Sequence, residues 1–225
     1  MPQHSSRHQK RFYRWLYITG AIVVIVLVIV LVIVWIGIQA HRNTHKPVAD
    51  QAGPPVTRLS LNLGQTFPWQ YKPYALDGQR HPVQRGNRAT IVVMMASWCK
   101  FCAYDDKYVW PVLAKTPGVT VDIIDVSPNA GIGNPGPFSP PFSGTDHIGN
   151  PINRAGMIAV MREYRAQFHL TQPNVAVYVD HQGLARWPIK YFPTVVFINQ
   201  KGVISKISNG GLQLSQAEDL LQATF

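Results

Sequence analysis

Residues 90–102 read Thr90-Ile91-Val92-Val93-Met94-Met95-Ala96-Ser97-Trp98-Cys99-Lys100-Phe101-Cys102, a continuous apolar run from Thr90 to Ala96 followed by two thiols three positions apart. Seven residues without a polar break describe a strand buried on both faces, the kind found inside a parallel sheet. A helix should follow Trp98. The thiols then occupy neighbouring positions on its first turn, where free N–H groups and the positive helix end favour a thiolate on Cys99. Lys100 adds a nearby cation. Such surroundings lower a thiol pKa from about 8.5 into the range where the anion exists near neutral pH. Cys99 is then the attacking sulfur and Cys102 the resolving one. Two other readings stand beside this chemistry. A disulfide across so short a loop would contribute only about 2 kcal/mol of stability. A closed zinc site needs four ligands, and the chain has no second cysteine pair.

Outward from this stretch, strands and helices alternate, which points to an α/β sheet. Leu76-Asp77-Gly78 forms a turn between short strands, and Pro111 should kink or break the helix after the thiols. Strands are expected at 119–126, 175–179 and 194–198, with a hairpin turn at Lys201-Gly202. Helices are expected at 153–170 and 213–223. Met94 and Met95 read as core packing. Residues 127–151 hold six prolines and five glycines in 25 positions, too broken for an ordinary connection, and read as an inserted loop. Its Phe138 and Phe142 suit either a substrate groove or a solvated excursion.

At the N-terminus, residues 16–38 run 23 positions without a charge, enough for roughly 34 Å of helix, so the reading is one transmembrane anchor. Phe12, Tyr13, Trp15 and Tyr17 would lie at one interface and Trp35 near the other. A cleaved signal peptide has a shorter apolar core and small residues at its cleavage site, whereas Ile38-Gln39-Ala40 is a poor site. Arg7, Lys10, Arg11 and Arg14 precede the span, against Arg42 and Lys46 after it, which favours a cytoplasmic N-terminus. The expected division is a cytoplasmic basic segment at 1–15, the span at 16–38, a tether at 39–57 and a folded domain at 58–225, its insertion at about 127–170. The formal net charge of the 225-residue chain is +10, yet six of its cations and no acid fall within residues 1–46. Only +4 remains for the rest, so the charge gives no reason to expect nucleic acid as a partner. At 46% hydrophobic and 14% charged, the chain is also not of the disordered class.

Residues 66–225 resemble the thioredoxin superfamily, in particular its membrane-anchored, extracytoplasmic TlpA-like branch. The resemblance is carried by Tyr74-Ala75-Leu76-Asp77-Gly78 with Pro82-Val83, by Ala96-Ser97-Trp98-Cys99 with Cys102, and by Ile189-Lys190-Tyr191-Phe192-Pro193-Thr194 ahead of Val195-Val196-Phe197-Ile198 and Lys201-Gly202. It implies a thioredoxin-like α/β fold with a central mixed sheet, an N-terminal hairpin and an inserted loop plus helix. It also implies that Cys99 and Cys102 are the redox pair, that Trp98 shields them, and that Pro193 is a cis-proline. An X-Pro bond adopts cis at far lower cost than any other. Phe192 and Pro193, with Trp98, would contact an extended substrate segment by strand-like pairing.

Two features depart from the pattern. The buried acid that thioredoxins place six residues before the first cysteine is here Val93, which leaves the proton acceptor unassigned. Cys99 and Pro193 are 94 residues apart, which an insertion at 127–170 would explain.

Asp105 and Asp106 are expected as solvated charges of the first helix. Glu163 with Arg162 and Arg165 reads as an exposed helix face. His169 and His181 are the candidates for completing a metal site with the thiols, but copper carriers of this fold have a Cys-x-x-x-Cys pattern, one residue longer. No cofactor or metal is expected. The function this implies is a membrane-anchored thiol-disulfide oxidoreductase, acting on extracytoplasmic protein thiols or disulfides and recharged by a membrane or soluble redox partner. A tethered, redox-inert binding module or copper carrier is the alternative. The direction of exchange depends on the potential of the pair and on that partner.

Overall fold

The computed structural model describes residues 27–33, 35 and 56–225. Residues 27–33 and 35 are helical. Most of the expected span and tether lies outside the described residues, among which no helix is long and apolar enough to cross a membrane. The chain divides into units Met1–Ala52 and Gly53–Phe225, and the second carries the fold.

Six strands form one sheet in the order β1-β4-β3-β2-β5-β6. They are β1 (Tyr74–Ala75), β2 (Ala89–Met95), β3 (Val119–Asp125), β4 (Val175–Val179), β5 (Thr194–Asn199) and β6 (Ile204–Asn209). The helices are α1 (Lys100–Tyr108), α2 (Trp110–Leu113), α3 (Arg154–Gln167), α4 (Gly183–Arg186) and α5 (Leu214–Gln222). β2, β3 and β4 run parallel, joined by crossovers through α1–α2 and α3, while β1, β5 and β6 pair antiparallel. The sheet is therefore mixed.

Every residue of β2 is buried because both faces of the sheet are covered. Ile91, Val93 and Met95 point into a core shared with α1, α3 and α5, through Cys102, Met157, Met161, Tyr164 and Leu221. Val92 and Met94 point into a second core closed by Phe67, Tyr71, Val83 and Trp187. Trp187 stacks on Phe67 at 6.0 Å and meets Tyr71 edge-on at 4.8 Å. The reading of Met94 and Met95 as core residues holds.

The expected strands and helices form within a residue or two of their anticipated ends, except that the expected helix at 153–170 closes at Gln167, and Pro111 does interrupt the first helix, separating α1 from α2. The Lys201-Gly202 turn is fixed by Gly202 at φ +82° and by the Lys201 N–H donating to Asn199 Oδ1 at 3.0 Å. This turn folds β6 back on β5. Topology also brings distant residues together. β5 runs antiparallel to β2 with Thr194 opposite Met94, so the residues just before β5 lie beside those just after β2. The Phe192-Pro193 segment is thus brought to Cys99 across more than ninety positions of sequence, the Phe192 carbonyl lying 3.8 Å from its sulfur.

Candidate active site

Cys99 is the N-cap of α1, its backbone extended at φ −82° and ψ 127°. That conformation turns its sulfur back over the first turn, where it accepts from the Cys102 N–H at 3.4 Å. Both cysteines are free thiols, Cys102 fully buried and Cys99 only 3% exposed. Their titration is pulled apart. The Cys99 thiol is held below its ordinary value, first by the hydrogen bond from the Cys102 side chain and then by the N–H groups of Cys102 and Phe101, against burial and the Asp146 carboxylate. The Cys102 thiol is pushed well above it by burial, by Cys99 and, more weakly, by Asp106.

A wall of the site comes from the segment before β5. The Phe192-Pro193 bond is cis, and the Phe192 carbonyl lies 3.8 Å from Cys99 Sγ, within reach of its S–H. Pro193 is buried and Phe192 half-buried. Trp98 meets the Phe192 ring edge-on at 5.8 Å and donates its Nε1–H to Ser127 Oγ at 3.0 Å. The four candidates from sequence thus surround Cys99.

Residues 127–151 form another wall. The Gly133 N–H donates to Ser97 O and the His147 N–H to Trp98 O, both at 2.9 Å, while Asp146 Oδ1 accepts from the Lys100 N–H at 2.7 Å. Gly133 runs so close that a Cβ there would lie 2.6 Å from the Cys99 carbonyl. Phe138 and Phe142 pack on Tyr104 and Tyr108 of α1, and Phe142 also on Phe101. The loop is thus packed on α1 through its aromatic residues while most of 143–150 faces solvent, so it combines features of both readings.

Asp105 and Asp106 depart from expectation. Both are fully buried, because the loop aromatics cover the outer side of α1 while α3 and the segment before α5 close the rest. Asp105 Oδ1 accepts from the Leu212 N–H at 3.0 Å, and Asp106 Oδ2 accepts from Tyr164 OH at 2.5 Å. The other oxygen of each carboxyl has no hydrogen-bond partner. Burial raises Asp105 well above the usual range and Asp106 to about 7, although the Tyr164 hydrogen bond acts against the latter shift. Asp106 lies one helical turn beyond Cys102 and its charge bears on that thiol. It is a candidate for the proton acceptor that the sequence left unassigned. Its signal was the run Phe101, Tyr104 and Tyr108, aromatic residues whose spacing implies that the far side of α1 is also covered.

Two further acids are buried in β3. Asp125 is raised to about 7 and Asp122 to about 8, in both cases by burial. His169 and His181 are exposed, after α3 and after β4. Among the described residues no group of three or more His, Cys, Asp and Glu side chains comes together as a metal site. Glu163, Arg162 and Arg165 do lie on an exposed face, although Arg162 donates to Leu76 O and Arg165 to Leu170 O.

A strand leading into a helix capped by the first of two cysteines, set beside a cis-proline at the head of the adjacent antiparallel strand, completes the pattern. The fold is thioredoxin-like. No family model and no curated protein matches the chain. Similar solved structures include a secreted Mycobacterium tuberculosis disulfide oxidoreductase homologous to E. coli DsbE, 17% identical, which covers 69% of this chain and 95% of that one with a TM-score of 0.47. A putative thiol:disulfide interchange protein DsbE from Chlorobium tepidum is 16% identical, covering 72% and 95% with a TM-score of 0.49. StoA from Bacillus subtilis is 16% identical, covering 69% and 96% with a TM-score of 0.42.

Proposed function

We propose that residues 58–225 are a thiol-disulfide oxidoreductase for extracytoplasmic proteins, held by the tether 39–57 to a membrane span at 16–38 with the N-terminus in the cytoplasm. The observation that carries the chemistry is the divergence of the two thiols. Cys99, at the helix cap with N–H groups aimed at it, is the better anion, and Cys102 beneath it keeps its proton.

In the reducing direction, the Cys99 thiolate attacks one sulfur of a substrate disulfide, forms a mixed disulfide and expels the other substrate sulfur as a thiolate. Cys102 then loses its proton and attacks Cys99, which releases the second substrate thiol and leaves the Cys99–Cys102 disulfide. Two electrons pass to the substrate. Asp106 takes up the Cys102 proton, since its carboxyl titrates near 7 and has an unpartnered oxygen in the same core. Trp98 and Phe192 form the apolar rim, and the backbone of Phe192 offers an extended substrate segment a strand-like partner. Oxidation of a substrate dithiol is the same sequence reversed, and the partner that recharges the pair sets the direction.

Dithiothreitol-driven reduction of insulin by the full-length chain tests the chemistry. The wild type turns over, Cys99→Ser does not, and Cys102→Ser accumulates mixed disulfides. Equal activity in wild type and Cys99→Ser defeats it, and stoichiometric Cu(I) binding without turnover would favour the carrier. A membrane-impermeant protease on spheroplasts tests the topology: the domain should be removed, and full protection would reverse the orientation.

A further inference from the structure

Asp146 is an exposed residue held in a fixed place. Its neighbour Thr145 pairs with Asn134 through two backbone hydrogen bonds of 2.9 and 3.0 Å. On its other side the His147 N–H is bound to Trp98 O, and the His147 ring lies 3.0 Å from Thr145 Oγ1 and 3.1 Å from Ile132 O. Between these two anchors Asp146 presents Oδ1 to the Lys100 N–H at 2.7 Å. That N–H belongs to the first turn of α1, whose next donors, on Phe101 and Cys102, serve the Cys99 sulfur. A carboxylate and a thiolate therefore share one helix end, and each lessens the benefit the other draws from it.

We propose that Asp146 is a positioning residue through which the 127–151 loop restrains Cys99, its negative charge at the head of α1 making the thiolate less favourable and the Cys99/Cys102 pair more reducing. Stabilising the thiolate stabilises the reduced form of such a pair and makes it more oxidising, so a nearby anion acts in the opposite sense. Cys102 and Asp105 on α1 and Tyr164 on α3 also bear on Cys99, and all three are buried in the core beneath it. Lys100, next to Cys99 and with its Nζ over the Phe101 ring, and His147, next to Asp146, are the other titratable side chains at this helix end, and Asp146 is the acid that the loop brings there.

Asparagine separates charge from geometry, because its amide oxygen still accepts from the Lys100 N–H. The test is the pH profile of iodoacetamide alkylation at Cys99, located by peptide mass mapping in the reduced full-length chain. Asp146→Asn should move the profile to lower pH, giving about threefold more thiolate at a fixed pH below the midpoint, the size of an exposed charge at a helix end. In glutathione buffers the same variant should shift toward the reduced form by a similar factor. An unmoved profile in Asp146→Asn, or one moved to higher pH, overturns the proposal. So does a shift seen only in Asp146→Ala, which would trace the effect to loop attachment. The inference rests on Cys99 being the attacking thiol. Wild-type alkylation that is faster at Cys102 defeats that reading, whereas an unmoved Asp146→Asn profile defeats the restraint alone.

Discussion

Asp180, against the second core, and Asp106, in the first, are both buried carboxyls, and they are supported in opposite ways. Asp180 Oδ2 accepts from Tyr71 OH and from Arg186 Nε, each at 2.9 Å, and Oδ1 accepts from the Gln182 N–H at 3.1 Å. Its charge is matched by a guanidinium. Asp106 has the Tyr164 hydroxyl on one oxygen and nothing on the other, and among the described residues it has no cationic partner. Leaving an ion so poorly solvated costs several kcal/mol, so the proton is retained to about pH 7. A fully satisfied carboxylate fastens β4 to the N-terminal segment. The half-satisfied one lies under the thiol that sheds a proton in the proposed mechanism, and is suited to exchange that proton.

Four experiments can break or sharpen this contrast. Asp180→Ala leaves the Arg186 guanidinium and Tyr71 hydroxyl uncompensated and should cost about 3 kcal/mol in urea unfolding, without moving Cys99 alkylation. A loss below about 1 kcal/mol would remove Asp180 from its structural role. The second measurement uses pH. Asp106, Asp125 and Asp122, raised to about 7, 7 and 8, bind protons in the fold that the unfolded chain has already lost above about 4. Stability should therefore fall as pH rises from about 4 to about 8 and then level off. A urea midpoint that rises over that range would show these acids to be ionised and paired. Third, Asp106→Asn should shallow that decline while slowing release of the mixed disulfide roughly a hundredfold at pH 7, at the lower end of what a positioned base contributes. Quenched-flow detection of the mixed disulfide reads this step, and unchanged release would exclude Asp106 as the acceptor. The smallest effect belongs to Tyr164→Phe, which removes a hydrogen bond favouring the Asp106 anion. Stability should drop by about 1 kcal/mol. The Asp106 titration, followed by carbon NMR, should move above 7.

The strands could be read because the sheet is covered on both faces, so β2, β4 and β5 appear as apolar runs needing no knowledge of their partners, and β3 as one interrupted by Asp122 and closed by Asp125. The thiols and Pro193 were legible for a related reason: helix cap and strand head are local features with few compatible residues. The two aspartates were not. Lys100–Tyr108 has the composition of a solvated helix, and it is enclosed by α3, by the segment before α5 and by the return of Phe138 and Phe142 more than thirty positions after Tyr104 and Asp105. A proline-rich loop has no periodicity to announce that closure. Asp146 was hidden likewise, since a cap supplied from 46 residues away leaves no trace in the spacing around Lys100.

The strand order also has a consequence for the growing chain. β2 through β4, with β1 beside β4, can assemble as soon as residue 179 is available, but β2 is then a sheet edge until β5 arrives. An unpaired edge that is apolar on both faces invites pairing with another chain, and nothing in Thr90–Met95 discourages it. During that interval Cys99 and Cys102 already lie within reach of each other, while the wall formed by Phe192 and Pro193 is absent. On the proposed chemistry, synthesis then passes through a stage at which the thiols are reactive before they are selective, and rapid delivery of residues 180–225, rather than added stability in the finished domain, would guard against misassembly.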